Sequence, residues 1–143
     1  MIPAVIVTAV KNTGYPVPEG AVEKAIERGS KVPGGWCGFY GACGVAIGAG
    51  TAVSVLTGAT PLTRRNAGSC QRGYSLYALN HMIEGGARCC KRAGRKALQA
   101  AVEFLKTRMG IALKPAPEIS CQYSGRNREC IHQDCVYYNS SLS

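Results

Sequence analysis

Acidic residues are scarce in this chain. Its 143 residues hold eight Asp and Glu against seventeen Lys and Arg, and the single aspartate is Asp134. Hydrolysis by two carboxylates needs a facing pair of acids, whereas Glu19, Glu23 and Glu27 follow one another along a helical face, which argues against a paired-carboxylate hydrolase. Histidine is equally sparse. His81 and His132 each lack a second histidine at zinc-finger spacing, and no two cysteines stand at the Cys-x2-Cys spacing of zinc ribbons, so no zinc motif is present. The glycines at 41, 44, 48 and 50 are not followed by Gly-Lys-Ser/Thr, which excludes a phosphate loop. No internal repeat and no heptad array can be read.

Two further absences bear on compartment. The apolar residues 1–10 have no basic residue before them, so the charged start of a secretory signal is missing and the chain is read as cytoplasmic. Residues 32–63 carry no charge, yet they begin Val-Pro-Gly-Gly and are strongly apolar only over about 45–56. That stretch predicts a buried central helix and no membrane span.

What is abundant is sulfur and positive charge. The length fits one domain, residues 1–143, with a cysteine-rich helical body and an irregular metal-binding tail over 114–143. The net charge of +9 favours anionic partners. Eight cysteines exceed ordinary usage, and in a reducing compartment clustered cysteines are metal ligands or redox centres more often than disulfides.

The pattern predicts an all-α fold of about five helices packed round a small-residue central helix. A first helix covers 3–12. A second covers 18–29, with Pro18 and Glu19 in its first turn, Val22, Ala25 and Ile26 as its apolar spacing and Gly29 at its end. Residues 30–41 read as a loop. The central helix runs over 42–57, where Ala42, Ala46, Gly50 and Ser54, with Gly44 and Gly48, let other backbones come close. One long or two shorter helices cover 62–84, and a last helix covers 93–109 with Ala97, Ala101, Phe104 and Leu105 on its face. Beyond Pro115 and Pro117 the apolar residues are too scattered to form a core, so something must hold this segment down; a bound metal or cluster is one way.

All the cysteines except Cys70 fall into three groups: Cys37 with Cys43, the pair Cys89-Cys90, and Cys121, Cys130 and Cys135. Cys70, alone in a helical stretch, reads as a small buried hydrophobe. The others sit at loops or helix ends, where several thiolates can turn to one point and helix amides favour the anion. The irregular spacing, including Cys-x8-Cys-x4-Cys, suits an iron-sulfur cluster, [4Fe-4S] in type, with zinc as the alternative. Cys89, Cys90, Cys121, Cys130 and Cys135 are the candidate metal ligands. Cys37 and Cys43 are candidate redox or sulfur-carrying thiols, or further ligands. Arg88, Lys91 and Arg92, followed by Arg95 and Lys96, form a candidate anion site at a helix start. His132, between Cys130 and Cys135, is a candidate additional ligand. Tyr74, Tyr77, Tyr123, Tyr137 and Tyr138 beside basic residues could stack on RNA bases, but no RNA-module motif accompanies them.

The segments Gly34-Gly35-Trp36-Cys37-Gly38-Phe39-Tyr40-Gly41-Ala42-Cys43-Gly44, Thr57-Gly58-Ala59-Thr60-Pro61-Leu62 and Arg88-Cys89-Cys90-Lys91-Arg92, with Cys121, Asn127, Cys130 and Cys135, resemble a prokaryotic cysteine-rich family carried as a domain of unknown function. The resemblance spans about 3–138. It implies a cysteine-rich site and no particular activity. Members often stand behind a cysteine-rich ribbon or beside methyltransferase or radical enzymes. Gly41-Ala42-Cys43-Gly44 is also similar to a motif of iron-sulfur serine dehydratases and cysteine desulfidases, an analogy of site only.

Together these readings predict a cytosolic iron-sulfur protein acting in sulfur transfer, desulfuration or redox support of a partner enzyme, with an anionic or thiol small molecule as its ligand. The alternative is a zinc-stabilised interaction or RNA-binding module without catalysis. Oligomeric state is left open by the sequence.

Overall fold

A computed structural model describes residues 1–63 and 89–142, and of Cys89 and Leu142 the backbone alone. Five α-helices are found among them: α1 (Ile2–Asn12), α2 (Ala21–Ser30), α3 (Trp36–Tyr40), α4 (Gly44–Leu56) and α5 (Cys89–Met109). Three short 3-10 turns follow, at Ser124–Arg126, His132–Asp134 and Ser140–Leu142. The described residues contain no strand, and the fold is all-α. The expected helix or helices over 62–84, and Cys70 and His81 within them, lie outside the described residues apart from Leu62 and Thr63.

α4 is the centre of the packing. It touches α1, α2 and α5, while α1 also packs on α2 and α5. Its buried residues include Ala46, Gly48, Ala49, Ala52, Val53 and Val55, small side chains that let three helices approach one axis. The larger apolar groups come from its neighbours: Ile6, Val7 and Val10 on α1, and Phe104 and Leu105 on α5. Each such side chain contributes about 1.5–3 kcal/mol when fully buried. The close approach is specific. A Cβ at Gly48 would meet the Pro3 ring at 3.3 Å, and one at Gly44 would meet Val32 at 3.4 Å.

α4 ends as sequence dictates. Gly58 takes φ +64°, Ala59 N–H donates to the Ser54 carbonyl at 2.9 Å and Gly58 N–H to that of Val55 at 3.3 Å, which is a Schellman stop. Ser54 Oγ, buried, donates to the Ala59 carbonyl and accepts from Arg28 Nη1 at 2.9 Å, tying α2 to this stop.

α2 departs from expectation at both boundaries and at Ile26. Pro18 and Glu19 form a turn ahead of the helix, because Gly20 at φ +65° takes the N-cap position. Gly29 lies inside the helix, where its missing Cβ leaves room for Pro3 Cγ, 3.0 Å from where that atom would stand. Ile26 is 55% exposed; the helix docks through Ala21 and Ala25, and a bulky residue next to that seam must turn outward. Residues 36–40, expected as loop, are helical. Gly35 at φ +77° and Gly41 at φ +69° bound this turn, and Trp36 stacks on Tyr40 with ring centroids 4.3 Å apart. α5 starts at Cys89, so Cys90, Lys91 and Arg92 belong to the helix and do not precede it.

The tail is held to α5 by its own side chains. Tyr137 is buried, its hydroxyl donates to Gln99 Oε1 at 3.0 Å, and Arg95 stands over its ring. Tyr137 is thus packed away from any RNA base. Cys121 N–H donates to the Tyr137 carbonyl at 2.6 Å, pairing the two ends of the segment. No helix of the described residues is long and apolar enough to cross a membrane.

Candidate functional site

Successive residues lie about 100° apart round a helix, so adjacent positions on α5 serve different sides. Cys90 and Ala93 point to one side, Lys91, Arg92 and Arg95 to another, and each side lines its own pocket.

The larger pocket is an apolar cleft of about 600 Å³ between α3, the N-termini of α1 and α4, and the start of α5. Its volume falls in the range of ligand-binding clefts, about 300–1,000 Å³. Three thiols line it: Cys37 from α3, Cys43 from the N-cap position of α4, and Cys90 from the first turn of α5. Cys37 and Cys90 are exposed and Cys43 half-buried. Cys43 has an extended backbone and its side chain makes no capping bond, which leaves its sulfur uncommitted to the helix it starts. Gly34, Gly35, Gly38, Gly44 and Gly48 form part of the wall, so stretches of bare backbone face the cavity between the side chains.

The smaller pocket, about 60 Å³, lies between α5 and the C-terminal segment. Cys121, Cys130 and Cys135 line it together with Lys91, Arg92, Arg95, Tyr123, Ser124 and Asn127. Such a space holds a few water-sized groups. The loop that carries Cys130 is tightly wound: Cys130 N–H donates to the Asn127 carbonyl at 3.0 Å, and the Cys130 sulfur accepts the His132 N–H at 3.4 Å. His132 itself adopts φ +47°. Its ring packs edge-on against Tyr138.

The structure therefore divides the residues that the sequence grouped. It brings Cys90 together with Cys37 and Cys43 and places it on the other side of α5 from Cys121, Cys130 and Cys135. The basic residues Lys91 and Arg92, expected around the Cys89-Cys90 pair, instead face the C-terminal thiols. Arg88 and the side chain of Cys89 lie outside the described residues. None of Cys37, Cys43, Cys90, Cys121, Cys130 and Cys135 is in a disulfide, and among the described residues no three Cys, His, Asp or Glu side chains are close enough to clasp a metal ion. Sequence reasoning missed Ser124 as a pocket residue; Arg95, from the candidate anion site, and Asn127, from the family-like positions, both line this pocket. The helical period of α5 already separated Cys90 from Lys91 and Arg95, but the partner of each side required the fold.

Over residues 1–138 the chain matches DUF5714, a family of unknown function, and it belongs to that family. No curated protein and no solved structure matches it.

Proposed function

We propose that this protein is an iron-sulfur-cluster-binding protein acting in sulfur transfer, desulfuration or redox support of a partner enzyme, with the cluster in the cleft lined by Cys37, Cys43 and Cys90. The supporting observation is the meeting of these three thiols, from three separate helices, on one glycine-walled cavity of about 600 Å³. A cluster is ligated at several irons, so its thiolates stand farther apart than the ligands of a single ion. That suits thiols that share a cavity without clasping a common point. The pocket of about 60 Å³ has no room for such a group, so Cys121, Cys130 and Cys135 are not its ligands in this reading.

Cys43 sits at the positive end of α4, whose free N–H groups favour negative charge, and the surrounding wall is mostly apolar. A bound cluster held by three thiolates would supply one iron open to a small thiol or anionic molecule. The residues Trp36 and Val45 and the glycine backbone would limit the size of that molecule. The protein is cytosolic in this proposal, as reduced thiols require.

The test is purification without oxygen, followed by visible absorption and assay of iron, zinc and acid-labile sulfide on one sample. The expected result is a brown protein with matched iron and sulfide, whose colour is lost in C37S, C43S and C90S and kept in the C121S/C130S/C135S triple variant. A colourless protein with about one zinc per chain would overturn the proposal in favour of a zinc-stabilised module. Colour that survives in C37S, C43S and C90S would overturn the assignment of ligands.

A further inference from the structure

The pocket on the other side of α5 is built for charge. Lys91, Arg92 and Arg95 line it, and among the described residues no carboxylate does. Arg92 is 9% exposed, so the guanidinium is largely removed from water. Lys91 Nζ stands 5.7 Å from the Tyr123 ring centre and Arg95 Cζ 5.1 Å from that of Tyr137, contacts that fix two of the cationic heads. Opposite them, Ser124 is 3% exposed and its Oγ, buried, makes no hydrogen bond among the described residues. A buried hydroxyl without a partner is uncommon because its desolvation is uncompensated, and it calls for an explanation. Asn127 adds a neutral amide to the same wall.

We infer that this pocket binds a small tetrahedral oxyanion of the phosphate or sulfate class, with Lys91, Arg92 and Arg95 supplying the positive charge and Ser124 Oγ–H a hydrogen bond. The volume of about 60 Å³ admits such an ion and no nucleoside attached to it. Cys121, Cys130 and Cys135 form the remaining wall. The inference uses none of the thiols assigned to the cluster, so either can fail without the other.

Calorimetric titration of the full chain at low salt, with inorganic phosphate and separately with sulfate, tests this inference. Adenosine monophosphate serves as an esterified phosphate. One anion per chain is expected. S124A weakens it about tenfold or more, the size of a hydrogen bond to a charged group, and raises the melting temperature of the anion-free protein, since the unpaired hydroxyl is gone. K91Q weakens binding, while R108Q, at the far end of α5, leaves it unchanged and controls for net charge. Failure of adenosine monophosphate to compete supports the free ion as the ligand; competition equal to that of phosphate would overturn the assignment to a free ion. Absence of saturable binding, or an S124A affinity equal to the parent's, would overturn the inference. One zinc bound through Cys121, Cys130 and Cys135 with no response to phosphate would do so too.

Discussion

Cys90 and Lys91 are neighbours in the chain and line different pockets: Cys90 faces the cleft of Cys37 and Cys43, and Lys91 faces the pocket of Cys121, Cys130 and Cys135. The 100° step of a helix is enough to separate them. α5 therefore works as a partition, with Cys37, Cys43 and Cys90 on one side and the cationic pocket on the other. The far end of the same helix is anchored in the core by Phe104 and Leu105, so a disturbance of one pocket wall is resisted by the packing that both share.

The helix crossings make a prediction about glycines. An alanine Cβ at Gly29 would stand 3.0 Å from Pro3 Cγ, a ring atom that cannot rotate away, whereas one at Gly94 would meet only the flexible end of Ile2 at 3.5 Å. Alanine gains about 1 kcal/mol over glycine in a helix interior, and overpacking costs about 1–3 kcal/mol. G94A is therefore expected to stabilise the protein by up to about 1 kcal/mol, and G29A to destabilise it by about 1 kcal/mol once the two effects are combined. Urea denaturation at constant slope measures both; a stabilised G29A would mean that α1 and α2 slide apart at no cost.

Much of this architecture was legible in advance for reasons that can be named. α1, α4 and α5 carry apolar or small residues at helical spacing over three or more turns, and Gly58 and Gly110 mark two of their ends by positive φ. α3 was not legible because five residues are too short for a periodic signal, and its boundaries are set by Gly35 and Gly41, which read equally well as loop. Ile26 was misplaced because its apolar character says nothing about whether the neighbouring helix leaves room, and Gly29 against Pro3 shows how closely α2 is drawn in. The cysteines were recognisable as the chemistry of the chain. Their division into two sets was not, since Cys37 and Cys90 are brought together by the packing of α4 against α1 and α5, a relation with no local sequence signature.

A pH dependence follows from Glu27. Lys31 Nζ donates to its carboxylate at 2.6 Å, and this hydrogen bond, then the attraction of the Lys31 charge, holds the Glu27 carboxyl below the usual carboxylate range. Its folded pKa is lower than its unfolded one, so its contribution is complete above the unfolded value and is lost as pH falls through the folded value. Both side chains are well exposed, which keeps the effect small and sensitive to salt. E27Q is expected to melt slightly below the parent at neutral pH and low salt, with the gap closing in acid and in high salt. Melting curves across pH check this; a gap that persists in acid would show that the charge is not its cause.

Tyr137 gives the sharpest handle on the C-terminal segment. Its hydroxyl bonds Gln99 on α5, its ring carries Arg95, and its carbonyl accepts the Cys121 N–H, so one residue joins the helix to both ends of the tail. Y137F removes only the hydroxyl and is expected to cost about 1 kcal/mol; Y137A removes the ring as well and should cost about 3–5 kcal/mol. Because the contacts are local, the consequence is local too. Alkylation of Cys121, Cys130 and Cys135, half-buried in the parent, should accelerate in Y137F, while Cys37 and Cys90, already exposed, keep their rates. Mass spectrometry of iodoacetamide-treated protein resolves each site. Acceleration that also reaches half-buried Cys43 would show that the tail and the helical core open together, and that α5 does not keep the two pockets apart.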